Sequence, residues 1–116
     1  MKLRLSREEF DNLVEEAVVR LPRVFREKLS NVAIEVADHP PQGEEDDTTL
    51  MGIFQGVPMT EKSVFQSSGP DRVVLYQRNI EAACSSRKEL VREIRLTLLH
   101  ELGHYFGLSE DELEDI

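Results

Sequence analysis

Apolar residues recur at three- and four-residue steps near the start of the chain. Phe10, Leu13, Val14, Ala17, Val18 and Leu21 form one stripe flanked by Glu15, Glu16 and Arg20, the spacing of a helix that buries one face. Ser6 with Glu9 is a capping box, in which hydroxyl and carboxylate each satisfy an otherwise unpaired backbone N–H, so the helix starts there. Pro22 stops or kinks it, and Arg23 to Leu29 reads as a short second helix. From Val32 to Val36 apolar and polar residues alternate until Asp38, His39, Pro40 and Pro41, which predicts a strand ended by prolines. Gln42 to Thr49, with Glu44, Glu45, Asp46 and Asp47, is a like-charge run expected to form a mobile loop. Leu50 to Val57 is apolar but broken by Gly52 and Gly56, so it predicts a short strand or bulged segment. After a turn at Gly69, Pro70 and Asp71, the β-branched and aromatic run Arg72 to Arg78 predicts a strand.

Ser86 with Glu89 is a second capping box, and it opens the longest periodic helix. That helix runs through Leu90, Val91, Ile94, Leu98, Leu99, Leu102 and Phe106 to Gly107. Toward its end it is apolar on several faces, so it should pass through the middle of the fold. Ser109 with Glu112 begins a last helical turn or two ending at Ile116.

Composition narrows the class. The chain has 116 residues, of which 40% are hydrophobic, enough for the core of one domain spanning residues 1–116. Its 14 Lys and Arg against 23 Asp and Glu give a net charge of −9, the wrong sign for a protein that grips phosphate backbones, so no nucleic-acid partner is expected. Cys84 is the single cysteine and cannot form an internal disulfide, which favours a reducing compartment. The segment MKLRLSREEF has no apolar run of signal-peptide length, and no stretch approaches the apolar length of a membrane span. A soluble, cytoplasmic protein is expected.

The chemistry lies in the central helix. His100, Glu101, Leu102, Gly103 and His104 spell H-E-x-x-H. Positions four apart on a helix lie one above the other, so both imidazoles project to one side and can share a metal ion. Glu101, one step round the helix, is poorly placed to be a ligand and well placed to take a proton from water, the role of a general base. Gly107 suits a left-handed helix end, after which the chain turns and brings Glu110 to the third-ligand spacing of HELGHYFGLSE. Asp111, one residue on, is the alternative ligand. His39, the remaining histidine, reads as a turn residue.

The stretches LMGIFQGVPMTEK (Leu50 to Lys62), DRVVLYQRNIE (Asp71 to Glu81) and LTLLHELGHYFGLSEDEL (Leu96 to Leu113) resemble the minimal matrix-metalloprotease-like zincin family, small bacterial proteins of metallopeptidase type. The resemblance implies a compact α+β fold in which a small mixed sheet and an N-terminal helix pack on a central helix carrying the zinc ligands. It also implies one zinc ion held by His100, His104 and Glu110, with Glu101 as the catalytic carboxylate and a peptide or protein as substrate. Full-size metzincins carry a methionine turn downstream of the third ligand, and none of the six residues after Glu110 is Met. A peptide is expected to lie along an edge strand, with Arg72 to Arg78 the candidate. Tyr76, Arg78 and Tyr105 carry donors that could face an oxyanion, but each reads more simply as a strand or helix surface residue. Met51, Met59 and Phe65 read as core or loop fillers, and Cys84 as a small buried residue. The competing classes are a non-catalytic metal-binding protein and an acidic module that docks a basic partner.

Overall fold

The computed structural model describes residues 3–29, 32–41, 50–56 and 71–107. In chain order they form α1 (Arg7–Val19), α2 (Arg23–Lys28), β1 (Val32–Ala37), β2 (Gly52–Gln55), β3 (Asp71–Tyr76), α3 (Gln77–Ala82) and α4 (Arg87–Tyr105). The fold is α+β, as expected. The segments read as an acidic loop (42–49) and a terminal helical turn (109–116), together with Gly69, Pro70, Met59 and Phe65, lie outside the described residues.

Helix α1 begins where its capping box places it. The Ser6 side chain accepts from the Glu9 N–H at 3.1 Å, and the Ser6 N–H donates to the Glu9 carboxylate at 3.0 Å. Glu9 also meets Arg87 at 2.8 Å, so one carboxylate ties the start of α1 to the start of α4. The Ser6 N–H, the Arg87 guanidinium and the Ser6 side chain lower the pKa of Glu9 from 4.5 to about 2. The second box is only half formed. Ser86 accepts from the Glu89 N–H, but the Glu89 carboxylate takes its proton donor from Ser85 instead of Ser86.

The sheet has the order β1-β3-β2, with β1 parallel and β2 antiparallel to β3. This corrects the expected edge strand: β3 is the middle strand, hydrogen-bonded on both sides. It also ends earlier than predicted. The strand stops at Tyr76, and Gln77 and Arg78 start α3, a helix that periodicity does not announce. The cause is tertiary. The Gln77 amide donates to the Leu5 carbonyl, Asn79 donates to the Leu50 carbonyl, and the Arg78 N–H donates to Asp38 O. These polar groups satisfy distant backbone, which an extended continuation would leave unpaired.

The core lies between α1, α4 and one sheet face. Phe10, Ala17, Ile94, Leu98 and Leu102 from the helices meet Val73 and Leu75 from β3, with Ile80 of α3 beside them. Each of these side chains larger than Ala17 contributes roughly 1.5–3 kcal/mol by leaving water. On the other sheet face, which also carries Ile53 and Val74, Arg72 reaches Glu35 on β1 and Gln55 on β2, so one guanidinium links all three strands. Cys84 is buried, and burial, with the Glu93 and Glu89 charges nearby, pushes its thiol up to about 11, which leaves it no nucleophilic character near neutrality.

A buried carboxylate holds the N-terminal segment to α3. Glu81 is 3% exposed and accepts from the Leu5 N–H at 2.8 Å, the Gln77 amide at 3.1 Å and Arg78 at 2.8 Å. Burial opposes its ionisation, yet these donors outweigh it and hold its pKa below 4.5. Glu81→Leu leaves the Leu5 N–H without its acceptor and takes one acceptor each from Gln77 and Arg78, which keep the Leu5 carbonyl, and is expected to cost about 2–3 kcal/mol in denaturant unfolding at neutral pH. Glu81 and Glu9 are both depressed in the folded state, so their stabilisation is complete above pH 4.5 and is lost as the pH falls through the folded values, toward about 2 for Glu9. Unfolding midpoints measured across that range are expected to fall less steeply for the Glu81→Leu and Glu9→Gln variants than for the parent chain.

Candidate metal centre

The two histidines meet on the solvent side of α4. Leu98, Leu99, Leu102, Gly103 and Tyr105 of the same helix are buried, while His100 and His104 are exposed and Glu101 is half-buried. The imidazoles are therefore not core histidines. Their ring centroids lie 5.0 Å apart with planes at 71°. Zinc–nitrogen bonds of about 2.0–2.1 Å with tetrahedral angles put two bound imidazole centroids about 5.2 Å apart. The centroid separation thus matches that expected of two imidazoles on one ion. His104 also occupies the last turn of α4, where the negative end of the helix dipole favours a cation.

Beyond the pair the chain turns as its glycine requires. Gly107 has φ of 80°, and its N–H donates to the His104 carbonyl at 3.0 Å, closing the helix in the left-handed conformation. Glu110 and Asp111, the two candidates for the third ligand, lie outside the described residues. Among the described residues no third His, Cys, Asp or Glu joins His100 and His104 in a group able to hold an ion. His39 sits exposed in the bend after β1, in keeping with a turn role.

Aromatic side chains set where the end of α4 lies. Phe106 packs against Phe25 of α2 with centroids at 5.3 Å, and Tyr105 packs against Phe54 of β2 at 4.8 Å. The donors considered for an oxyanion are occupied or covered. Arg78 is bound to the Leu5 carbonyl and Glu81, while Tyr76 and Tyr105 are 2% and 4% exposed.

A groove of about 360 Å³ runs beside His100, lined by Leu50, Met51, Gly52, Glu93, Leu96, Thr97, His100 and Glu101. Its existence depends on β2 lying close to α4. A Cβ on Gly52 would sit 2.9 Å from the Val74 carbonyl and 3.0 Å from Thr97 Cγ2, so only glycine permits that approach. Met51, read from sequence as filler, packs on the core and also lines this groove. Sequence reasoning did not single out Gly52, Glu93, Leu96 or Thr97 for the site. The available signal was the four-residue spacing of Glu93, Thr97 and Glu101, which stacks them on one helix face.

A helix bearing H-E-x-x-H, closed by glycine and flanked by a small mixed sheet, defines the zincin class of metallopeptidase. The profile of the zincin-like metallopeptidase family matches residues 29–116, and the chain belongs to that family. Among solved structures it is similar to a conserved hypothetical protein from Thermo thermophilus, with 24% identity and a TM-score of 0.58 over 88% of this chain and 94% of that one. That likeness shows a shared fold. No curated protein matches the chain. No helix among the described residues is long and apolar enough to cross a membrane.

Proposed function

We propose that the protein is a zinc-dependent peptidase in which His100 and His104 hold the ion and Glu101 moves the proton. The observation that carries the reading is the 5.0 Å separation of two exposed imidazoles beside a half-buried carboxylate and an open groove. Zinc, when bound, supplies a Lewis acid for the peptide carbonyl and makes water reactive near neutrality. Glu110, or Asp111 next to it, is the proposed third ligand. Among the described residues β2 pairs only with β3, so its other side is the edge that offers main-chain groups to an extended peptide. This edge replaces Arg72 to Arg78 in the docking role. The substrate backbone then lies along β2, held by main-chain hydrogen bonds, with a carbonyl beside the histidine pair. Glu101 Oε takes the proton of the attacking water and passes it to the departing amine nitrogen, so the carboxylate is regenerated within one turnover.

The test is digestion of a complex peptide mixture by the zinc-loaded protein, with new termini identified by mass spectrometry. Cleavage that stops on chelation and returns with added zinc is expected. Intact peptides throughout, with zinc bound at several pH values, would overturn the reading in favour of a non-catalytic metal-binding role.

A further inference from the structure

The groove runs from His100 toward the start of α4, and we propose that this stretch receives a lysine or arginine side chain of the substrate, with Glu93 as its charge partner. The inference rests on the peptidase reading. Glu93, Thr97 and Glu101 rise at four-residue intervals along one helix face, with Leu96 and His100 beside them, and all five line the same groove. The seven residue steps from Glu93 to His100 span about 10 Å of helix. A peptide carbonyl at the histidine pair has its neighbouring Cα a few bonds closer to Glu93. The distance left over suits a long, extended side chain and is too great for a short one.

The lining sorts the long side chains further. Leu50, Met51 and Leu96 offer apolar walls, and Leu96 is 42% exposed. Such walls accept the methylene stem of Lys or Arg while the cationic head travels on. Glu93 is the carboxylate at the far end. Among the described residues it forms no hydrogen bond or ion pair, and Arg95, two residues along, is engaged by the Arg20 carbonyl at 3.1 Å. Among the described residues, the ionisable side chains lining the groove besides Glu93 are Glu101 and His100, both at the reacting end. A leucine or methionine would fill the walls and leave Glu93 unanswered, and an acidic side chain would be repelled by both carboxylates.

The experiment compares cleavage sites in one peptide mixture cut by the zinc-loaded parent chain, Glu93→Gln and Glu93→Lys, each checked for its melting curve. The parent chain is expected to favour Lys or Arg beside the scissile bond by roughly tenfold over Gln or Leu, the factor of one charge-assisted contact. Glu93→Gln should erase that preference and Glu93→Lys should shift it to Asp or Glu. Identical site preferences in all three would overturn the proposal. A second arm works without turnover: binding of a lysine-containing peptide to zinc-loaded Glu101→Gln protein, against the Glu93→Gln, Glu101→Gln double variant. Roughly tenfold weaker binding to the double variant supports the groove assignment even where nothing is cut, the outcome that tells against the peptidase reading alone. Equal binding overturns the assignment.

Discussion

Glu101→Gln is expected to keep the fold and the metal while lowering peptide hydrolysis by about 10²–10⁴-fold, the range for loss of a positioned general base. Glutamine has the shape of glutamate and still accepts hydrogen bonds, but it cannot take up a proton near neutrality. Glu101 is half-buried on α4, next to His100 and lining the same groove, so the amide is accommodated where the carboxylate was. Paired measurements of kcat/KM and of zinc per chain decide the matter. A drop in rate with unchanged zinc content places the loss in proton transfer, and full activity would remove Glu101 from the reaction.

His104→Ala is expected to act on the other variable. It deletes one of two imidazoles held 5.0 Å apart, so zinc affinity should fall by more than about 100-fold, beyond the loss that follows removal of a group merely supporting a ligand. The metal-free stability should hardly move, because His104 is exposed and surface substitutions stay within about 0.5 kcal/mol. Competition with a coloured chelator gives the affinity, and thermal melts of the two metal-free chains give the stability. With zinc present, the parent chain should melt higher than His104→Ala, since only a folded state that binds the ion gains from it. Unchanged affinity would show that the cation is held elsewhere.

The parts of this protein that were legible in its sequence are those whose cause is local. Ser6 and Glu9 announce α1 because a capping box needs only four consecutive residues, and His100 and His104 announce a shared helix face because helical pitch alone stacks them. Helix α3 was not legible. Its residues Gln77, Asn79 and Glu81 are buried polar groups whose partners, Leu5 and Leu50, lie far away in the chain. The central position of β3 was hidden for a similar reason. A strand flanked on both sides and one at an edge can carry the same β-branched run, and pairing with β1 and β2 is settled by topology. At the site, the histidine pair was readable and the groove was not, because the groove arises from β2 meeting α4 across the bare Cα of Gly52.

The last turn of a helix ordinarily frays, since its final carbonyls lack partners and its side chains face water. In α4 that turn is wedged between Phe25 and Phe54 through Phe106 and Tyr105. Opening residues 101–105 therefore means detaching α2 and β2 together, so amide exchange there reports on a large cooperative unit and not on a loose end. Opening of that unit also governs how often the two imidazoles part company, so retention of an ion bound between them would be a property of the whole interior.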